Sequence, residues 1–235
     1  MKPWDDERIK RGMTVQLAGR RQRIAAGEKP LGWKLGFGAT PAMEMLKITA
    51  PLIGYLMEGA LLPPGATVNV KGWTQLVSEP EIAARLANDI APGSTPETAQ
   101  AAIGSLEPAI ELADLDLAPT ADNIDKVLER DIYQRHVILS GLQRAGGDTT
   151  GLTTRVTRRG KLAAEVADPQ AATGRIPDLL VHLADTLDAF GEKLSAGDVV
   201  ICGSAIPPPL IEPDETEFGY ELAPLGSMSV RFARQ

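Results

Sequence analysis

The sequence lacks the means to build several kinds of protein. It has a single cysteine, Cys202, which cannot form a disulfide within the chain, so a reducing compartment is expected. No apolar run approaches the roughly 20 residues that a membrane-spanning helix requires. The first residues are charged and contain no apolar signal region. We therefore expect a soluble, cytoplasmic protein.

Positive charge is also scarce. Lys and Arg total 24 residues against 31 Asp and Glu, which gives a net charge of -7. Nucleic-acid-binding proteins carry a basic surface, and anionic membranes attract basic segments, so neither partner is expected. A chain of 235 residues is long enough to bury roughly 70% of its unfolded surface. It needs neither disulfides nor a metal merely to fold.

The chain is interpreted as an N-terminal helical segment, 1–30, followed by a larger domain, 31–235. Helices are predicted at 5–26, 40–46, 122–134 and 176–194. Strands are predicted at 31–38, 67–70, 76–86, 106–115, 137–139, 153–156, 162–166, within 195–204, and at 226–232. The first helix has a basic face, which is either solvated or the rim of a cleft. Many short strands with a few helices predict an α+β fold dominated by β-structure.

The sequence Glu79-Pro80-Glu81 lies in one of the predicted strands. Side chains alternate across a strand, so the two carboxylates point to the same face. Like charges side by side repel unless a cation or a shared proton relieves them, and oxygen-rich sites suit Mg²⁺ or Mn²⁺. Pro80 cannot donate to a β-ladder, which predicts an edge strand or a bulge. The alternative is two solvated glutamates on an exposed face.

Two further charged residues lie in unusual surroundings. Lys34 falls in a glycine-rich run and is either a partly buried cation or an exposed edge residue. Glu111 shares a predicted strand face with Ala109 and Ala113, whose small side chains leave room for a ligand. An exposed glutamate is the alternative for Glu111. His182 lies beside the apolar stripe of the last predicted helix and is interpreted as structural.

Taken in order, these residues resemble the fumarylacetoacetate hydrolase superfamily, and most closely its 2-keto-4-pentenoate hydratase / 4-oxalocrotonate decarboxylase branch. The resemblance covers nearly the whole chain. It rests on the segments 32–36, 54–56, 79–83, 108–112, 197–200, 203–204 and 225–232. It implies the superfamily's rolled β-sheets with flanking helices for 31–235. Members share the site and differ in their chemistry.

The resemblance also implies roles for individual residues. Glu79, Glu81 and Glu111 would bind Mg²⁺ or Mn²⁺, and Glu81 would also be catalytic. Lys34 would be the catalytic cation or proton donor, with a pKa that desolvation brings down towards the working range. The implied substrate-binding residues are Leu35, His136, Ser140, Gly203 and Ser204.

The sequence departs from the hydratase pattern in two places. Only Glu58 remains where the hydratases carry an acidic pair after Gly-Tyr-Leu. The segment 136–141 replaces a run similar to Asp-Asn-Ala-Ser-Ser-Gly, so an acid and an amide are missing. His136 stands near the place of that acid. It is either a relocated base or a filler in a remodelled pocket.

The implied activity is that of a metal-dependent lyase in aromatic catabolism, acting through a metal-bound enolate. It would hydrate a 2-hydroxy-dienoate or 2-oxo-enoate, or decarboxylate a related 2-oxo diacid. Acylpyruvate hydrolysis needs a water-activating His/Glu pair, and no histidine precedes His136, which disfavours that reaction. A catalytically inactive assembly partner is the alternative from another class. A homodimer or higher homo-oligomer is expected.

Overall fold

The computed structural model describes residues 2–235, in which strands predominate over helices and confirm the predicted α+β class. The helices are α1 Glu7–Ala25, α2 Thr40–Leu46, α3 Pro96–Ala102, α4 Ile124–Glu129 and α5 Ile176–Ala189. The strands are β1 Pro30–Gly36, β2 Leu52–Met57, β3 Leu61–Leu62, β4 Thr67–Asn69, β5 Leu76–Leu86, β6 Ile103–Asp114, β7 Gln134–Leu139, β8 Arg144–Ala145, β9 Thr153–Arg158, β10 Lys161–Val166, β11 Val199–Ser204, β12 Glu217–Ala223 and β13 Gly226–Ala233. Within residues 2–235, no helix has the length and hydropathy that a membrane crossing requires.

The strands form two sheets. The larger sheet has the order β2-β1-β11-β5-β6-β7-β3, with β8 paired to β6, and the smaller has the order β10-β9-β12-β13-β4. The long strands β5 and β6 lie in the middle of the larger sheet and pair along almost their whole length. Any groups that these two strands share on one face are therefore held by the most extensive pairing in the molecule.

Pro80 lies in this central pair, so the prediction of an edge strand is wrong; a bulge is present, but in the neighbouring strand β11 rather than in β5 itself. The register between β11 and β5 shifts between Ile201 and Ser204. The Pro80 carbonyl accepts a hydrogen bond from the Ala205 N–H at 2.9 Å. Because the N–H and C=O of one strand residue point to the same side, the missing donor of Pro80 faces the bulge.

The two faces of the larger sheet have different surroundings. One face contributes to the main hydrophobic core, together with residues of α1, α5 and the smaller sheet. The opposite face carries a small separate apolar cluster, formed by Leu56, Ala83, Ala109, Val137, Leu139, Val199 and Ile201. Glu81 and Glu111 are each two residues from an alanine of this cluster. The carboxylates therefore lie on the same face, beyond the end of the cluster.

Helix α1 packs on the rest of the protein rather than standing apart. Its side chains Ile9, Met13 and Leu17 are buried in the main core. Gly12 allows close contact with α4, since a Cβ atom there would lie 2.6 Å from the Cβ of Leu128. On the basic face, the Arg20 guanidinium is buried over the ring of Trp33, 4.3 Å from its centroid. That face is thus partly enclosed rather than simply solvated.

The prediction of one continuous helix over 122–134 is wrong. Helix α4 ends at Glu129, and Asp131, Ile132 and Tyr133 have φ of 52°, 50° and 63°. Three consecutive left-handed residues other than glycine are strained and persist only where the surroundings hold them. Here one oxygen of Asp131 accepts hydrogen bonds from the Tyr55 N–H at 2.8 Å and from Gln16 Nε2 at 3.1 Å.

Candidate active site

Strands β5 and β6 bring the three predicted carboxylates onto one face of the sheet. Glu79 lies directly opposite Glu111 in the register of the two strands, and Glu81 lies opposite Ala109. Directly opposed side chains have Cβ atoms about 5 Å apart. The three glutamates therefore form one group of like charges.

Lys34 is the cation of this group. It lies on β1, is only 2% exposed, and is confirmed as a buried cation. Its ammonium donates to Glu111 Oε1 and, at 3.2 Å, to the carbonyl oxygen of Ile132. Its aliphatic stem crosses Gly54 of β2, where an added Cβ would lie 2.8 Å from Lys34 Cγ. Glycine at position 54 therefore makes the path of the lysine side chain possible.

The balance of forces on Lys34 differs from the expectation of a lowered pKa. Burial alone lowers the pKa of an ammonium group. The negative charges of Glu111 and Glu79, together with the hydrogen bond to Glu111, outweigh burial and raise the pKa of Lys34 above its usual value. In the metal-free protein Lys34 is thus a firmly protonated ammonium group.

Burial and mutual repulsion act in the opposite direction on the carboxylates. Enclosure by the surrounding protein and the charge of Glu111 raise the pKa of Glu79 to about 8, although its side chain is partly exposed to the cavity described below. Burial, with the charges of Glu111 and Glu79, raises the pKa of Glu81 well above its usual range. Both carboxyl groups therefore bind a proton more readily than a solvent-exposed glutamate does.

The β11 bulge brings Gly203 and Ser204 to the same place. Gly203 has φ of 92°, and its N–H donates to Glu81 Oε2 at 2.7 Å. The other oxygen of Glu81 is buried and has no hydrogen-bond partner among the described residues 2–235, and the same is true of the hydroxyl oxygen of Ser204. Buried polar atoms are nearly always paired, so these two mark a place where a polar or cationic ligand fits.

A cavity of about 660 Å³ opens over this group. Of the predicted site residues, those that line it are Lys34, Leu35, Glu79, Glu111, Gly203 and Ser204. Glu81 lies behind the cavity wall, fully buried. Most of the remaining lining is apolar. A small-molecule site of this kind combines an apolar enclosure with a few convergent polar groups.

His136 and Ser140 do not line this cavity. His136 is paired with Leu112, the neighbour of Glu111, so its side chain lies on the other face of the sheet, and its ring stacks on Trp73 at 6.1 Å between centroids. Burial lowers the pKa of His136. Ser140 Oγ instead accepts a hydrogen bond from the Leu142 N–H at 3.0 Å.

The structure adds residues that the sequence interpretation missed. Asp131 was placed in a predicted helix, yet its left-handed turn presents the Ile132 carbonyl to Lys34. Burial raises the pKa of Asp131 to about 8, although the charge of Lys34 opposes that rise. Phe37 also lines the cavity with φ of 57°. Neither position carries a sequence signal, because left-handed backbone is usually marked by glycine or asparagine.

The residues present fit a hard divalent cation. Three carboxylates, one of them with a buried oxygen that lacks a partner, supply the oxygen donors that Mg²⁺ and Mn²⁺ prefer. Within residues 2–235, no three or more His, Cys, Asp or Glu side chains are arranged as a group that could hold a metal ion. One oxygen of Glu111 bonds instead to the Lys34 ammonium.

Comparison with known proteins identifies the family of the chain. The sequence model of the fumarylacetoacetate (FAA) hydrolase C-terminal family matches residues 30–232. A 2-hydroxyhexa-2,4-dienoate hydratase of Comamonas testosteroni is 30% identical over 225 residues, which cover 93% of this chain and 84% of that protein. A 4-oxalocrotonate decarboxylase of a Pseudomonas species is 24% identical over 207 residues, 88% of this chain and 80% of that protein.

A solved structure shares the fold. The 4-oxalocrotonate decarboxylase from Pseudomonas putida G7, complexed with magnesium and adipate, has a TM-score of 0.85 at 22% identity, over 99% of this chain and 90% of that chain. The relatives fall in the hydratase and decarboxylase branch that the sequence motifs predicted. The family match extends from the start of β1 nearly to the end of β13. This chain belongs to the fumarylacetoacetate hydrolase C-terminal family.

Proposed function

We propose that this protein is a divalent-metal-dependent lyase that adds water to a 2-hydroxy-dienoate or 2-oxo-enoate. The observation that carries the proposal is the group of three carboxylates facing one buried ammonium group at the inner end of a largely apolar cavity. The similarity to a dienoate hydratase supports the same substrate class.

Glu79, Glu81 and Glu111 are the residues that would hold the cation. The fit rests on their shared strand face and on the unpaired buried oxygen of Glu81. When bound, a divalent cation acts as a Lewis acid that stabilises negative charge on the oxygens of a 2-oxo acid. The bond from the Gly203 N–H fixes the Glu81 carboxylate, so its second oxygen keeps its direction.

Lys34 and Ser204 supply the polar contacts that do not depend on the metal. The Lys34 ammonium carries a proton at the cavity wall, where it can bind a substrate oxygen or deliver a proton to the carbon chain. The Ser204 hydroxyl has no hydrogen-bond partner among residues 2–235 and can donate to a substrate oxygen. The apolar lining limits access of bulk water, which strengthens each of these contacts.

The alternative reactions fit this site less well. The chain has two histidines, and neither lines the cavity: His136 stacks on Trp73, and His182 Nε2 bonds to the Pro51 carbonyl at 3.0 Å. That disfavours acylpyruvate hydrolysis by a histidine-activated water. An inactive assembly partner would have no use for three clustered carboxylates, since their mutual repulsion costs folding energy.

Product analysis tests the proposal. The protein is incubated with Mg²⁺ or Mn²⁺ and a panel of 2-hydroxy-dienoates, 2-oxo diacids and acylpyruvates, and the products are identified by mass. We expect a gain of one water that disappears with EDTA and in Glu81→Gln, while His136→Asn retains it. If the main product results from loss of CO₂ or from cleavage to pyruvate, the activity is decarboxylation or C–C hydrolysis and not hydration. If no substrate is converted and the metal does not change the melting temperature, the proposal that this protein is a metal-dependent enzyme is refuted.

A further inference from the structure

The cavity differs sharply in character between its two ends. All its charged lining residues, Lys34, Glu79 and Glu111, lie at the inner end, within the described residues. Lys34 is the sole cation among the lining residues of 2–235, and its ammonium already bonds to Glu111 and the Ile132 carbonyl. A second carboxylate at the far end of a substrate would meet no counter-charge, and burying an unpaired charge is costly.

Strands β5 and β6 form the floor of the cavity and provide a scale for its length. Beyond the opposed pair Glu79 and Glu111, the next pair on the same face is Val77 and Ala113, which are partners in the register. Because a strand rises about 3.3 Å per residue, this second pair lies about 7 Å along the strands from the glutamate pair. These two side chains are buried and apolar, so the floor just beyond the carboxylates is hydrophobic.

The floor continues for a further step towards the surface. Gln75 and Leu115 lie directly beyond the ends of these two strands, and the Leu115 N–H bonds to the Gln75 carbonyl at 2.9 Å. Both residues line the cavity, about 13 Å from the glutamate pair by the same strand rise. In a hexadienoate the chain from C2 to C6 spans only about 5 Å, from four bonds of about 1.5 Å each. The floor therefore extends well past the end of such a substrate.

The rim of the cavity is apolar as well. Met45 on α2 and Leu210 after β11 both line it and are 52% and 42% exposed. Leu210 forms a β-bridge with Val77, which places this wall directly beside the floor. Together with Val77 and Ala113, these side chains make the wall beside the floor apolar.

We infer that the substrate is a 2-oxo acid with one carboxylate and a neutral, apolar tail longer than four carbons beyond C2. The inference rests on the proposed function for the orientation of the acid, with its carboxylate and 2-oxygen at Glu79 and Glu111. The tail lies over Val77 and Ala113 and reaches Leu115, Met45 and Leu210. A diacid is a poor substrate. Hydration is accordingly favoured over decarboxylation of a diacid, whose departing carboxylate would lie among these apolar side chains.

A matched substrate series tests the tail. With Mg²⁺ present, kcat/KM is measured for 2-hydroxy-2,4-dienoates with four, six and eight carbons beyond C2, and for a diacid of each length. For the monoacids we expect a rise of about fourfold per added methylene until the tail passes Leu115. For the shortest diacid, whose second carboxylate would lie over the buried Val77 and Ala113, we expect a value at least ~100-fold lower than for the monoacid of equal length. Equal rates for all tails, or a preference for diacids, would overturn the inference.

Equilibrium binding separates this inference from the proposed function. Saturated 2-oxo acids with the same tails are not hydrated, and their affinities are measured by calorimetry with Mg²⁺. If affinity rises with tail length but the protein converts no dienoate, the inference about the apolar tail is supported and the proposed hydratase activity is refuted. Conversion of dienoates with no dependence of affinity on the tail would refute the tail alone. No binding of any 2-oxo acid would refute both.

Two variants localise the effect. Ala113→Leu fills the first step of the floor, so the ratio of kcat/KM for the longest over the shortest monoacid falls at least tenfold. Leu115→Lys adds a cation at the second step and raises kcat/KM for the diacid relative to the monoacid of equal length, also at least tenfold. The matched control is Leu162→Lys, an exposed position outside the cavity, which leaves both ratios unchanged. Unchanged ratios in both cavity variants, with the fold intact by circular dichroism, would contradict the placement of the tail.

Discussion

Two Lys–Glu ion pairs in this protein differ chiefly in burial and therefore predict very different responses to the same substitution. Lys34 and Glu111 are 2% and 1% exposed, whereas Lys126 and Glu129 are 53% and 24% exposed with 2.8 Å between Nζ and Oε1. Removing one partner of a buried pair costs about 3–5 kcal/mol, because the other charge stays buried. An exposed pair contributes about 0–1 kcal/mol. We expect Lys34→Met to lose several times more stability than Lys126→Met.

Metal binding should reverse part of that loss. The ammonium of Lys34 and a divalent cation compete for the carboxylates, so Lys34→Met should bind Mg²⁺ at least as tightly as the wild type. A saturating cation at 100 times its Kd would then restore about 2.7 kcal/mol. Turnover should nevertheless fall by about 10²–10⁴, the usual contribution of a positioned proton donor. Lys34→Met would thus still bind Mg²⁺ but catalyse the reaction much more slowly.

Urea unfolding with and without Mg²⁺, calorimetric metal titration and steady-state kinetics measure the three quantities. Lys126→Met serves as the control in each assay. The reasoning about a buried ammonium would be refuted if Lys34→Met lost no more stability than this control. A parallel loss of metal affinity and turnover would mean that Lys34 supports the carboxylates rather than the chemistry.

Three further predictions follow from the same group. Glu81→Gln should weaken Mg²⁺ binding at least tenfold by titration while circular dichroism stays unchanged, because the Gly203 N–H still has an oxygen to bond. Gly54→Ala should cost about 1–3 kcal/mol in urea unfolding, since the new methyl overlaps the stem of Lys34. The pKa of Glu79 is raised to about 8, so in the metal-free protein this group binds a proton at neutral pH. Mg²⁺ affinity should therefore rise with pH up to about 8, and titrations in buffers of different ionisation enthalpy should report proton release.

The features that the sequence predicted are those with local causes. Alternation alone places Glu79 and Glu81 on one face of an extended strand, and β5 has the predicted bounds. Pro41 in the first turn predicts the start of α2, and α2 has the predicted bounds, although Ala39 rather than Thr40 is the N-cap residue. The glycine-rich run around Lys34 indicated a close approach, which Gly54 completes from the neighbouring strand.

The features that the sequence could not predict depend on distant pairing. Pro80 argued for an edge strand, but a bulge in β11, more than 100 residues later, accommodates it in the centre of the sheet. The face on which His136 lies depends on the register of β7 against β6, and a shift of one residue would reverse it. The left-handed turn at Asp131 exists because β2 and α1 hold its carboxylate. No local pattern carries that information.

The order of strands in the larger sheet has a consequence for how the charges meet during synthesis. β5 and β6 are separated by only sixteen residues, 87–102, so the acidic groups come together through local pairing. Lys34 is made earlier, but β1 reaches β5 only by pairing with β11, close to the end of the chain. A nascent chain that ends before Val199 therefore holds its acidic groups together without the Lys34 ammonium beside them, and only the last sixth of the polypeptide brings that cation into place.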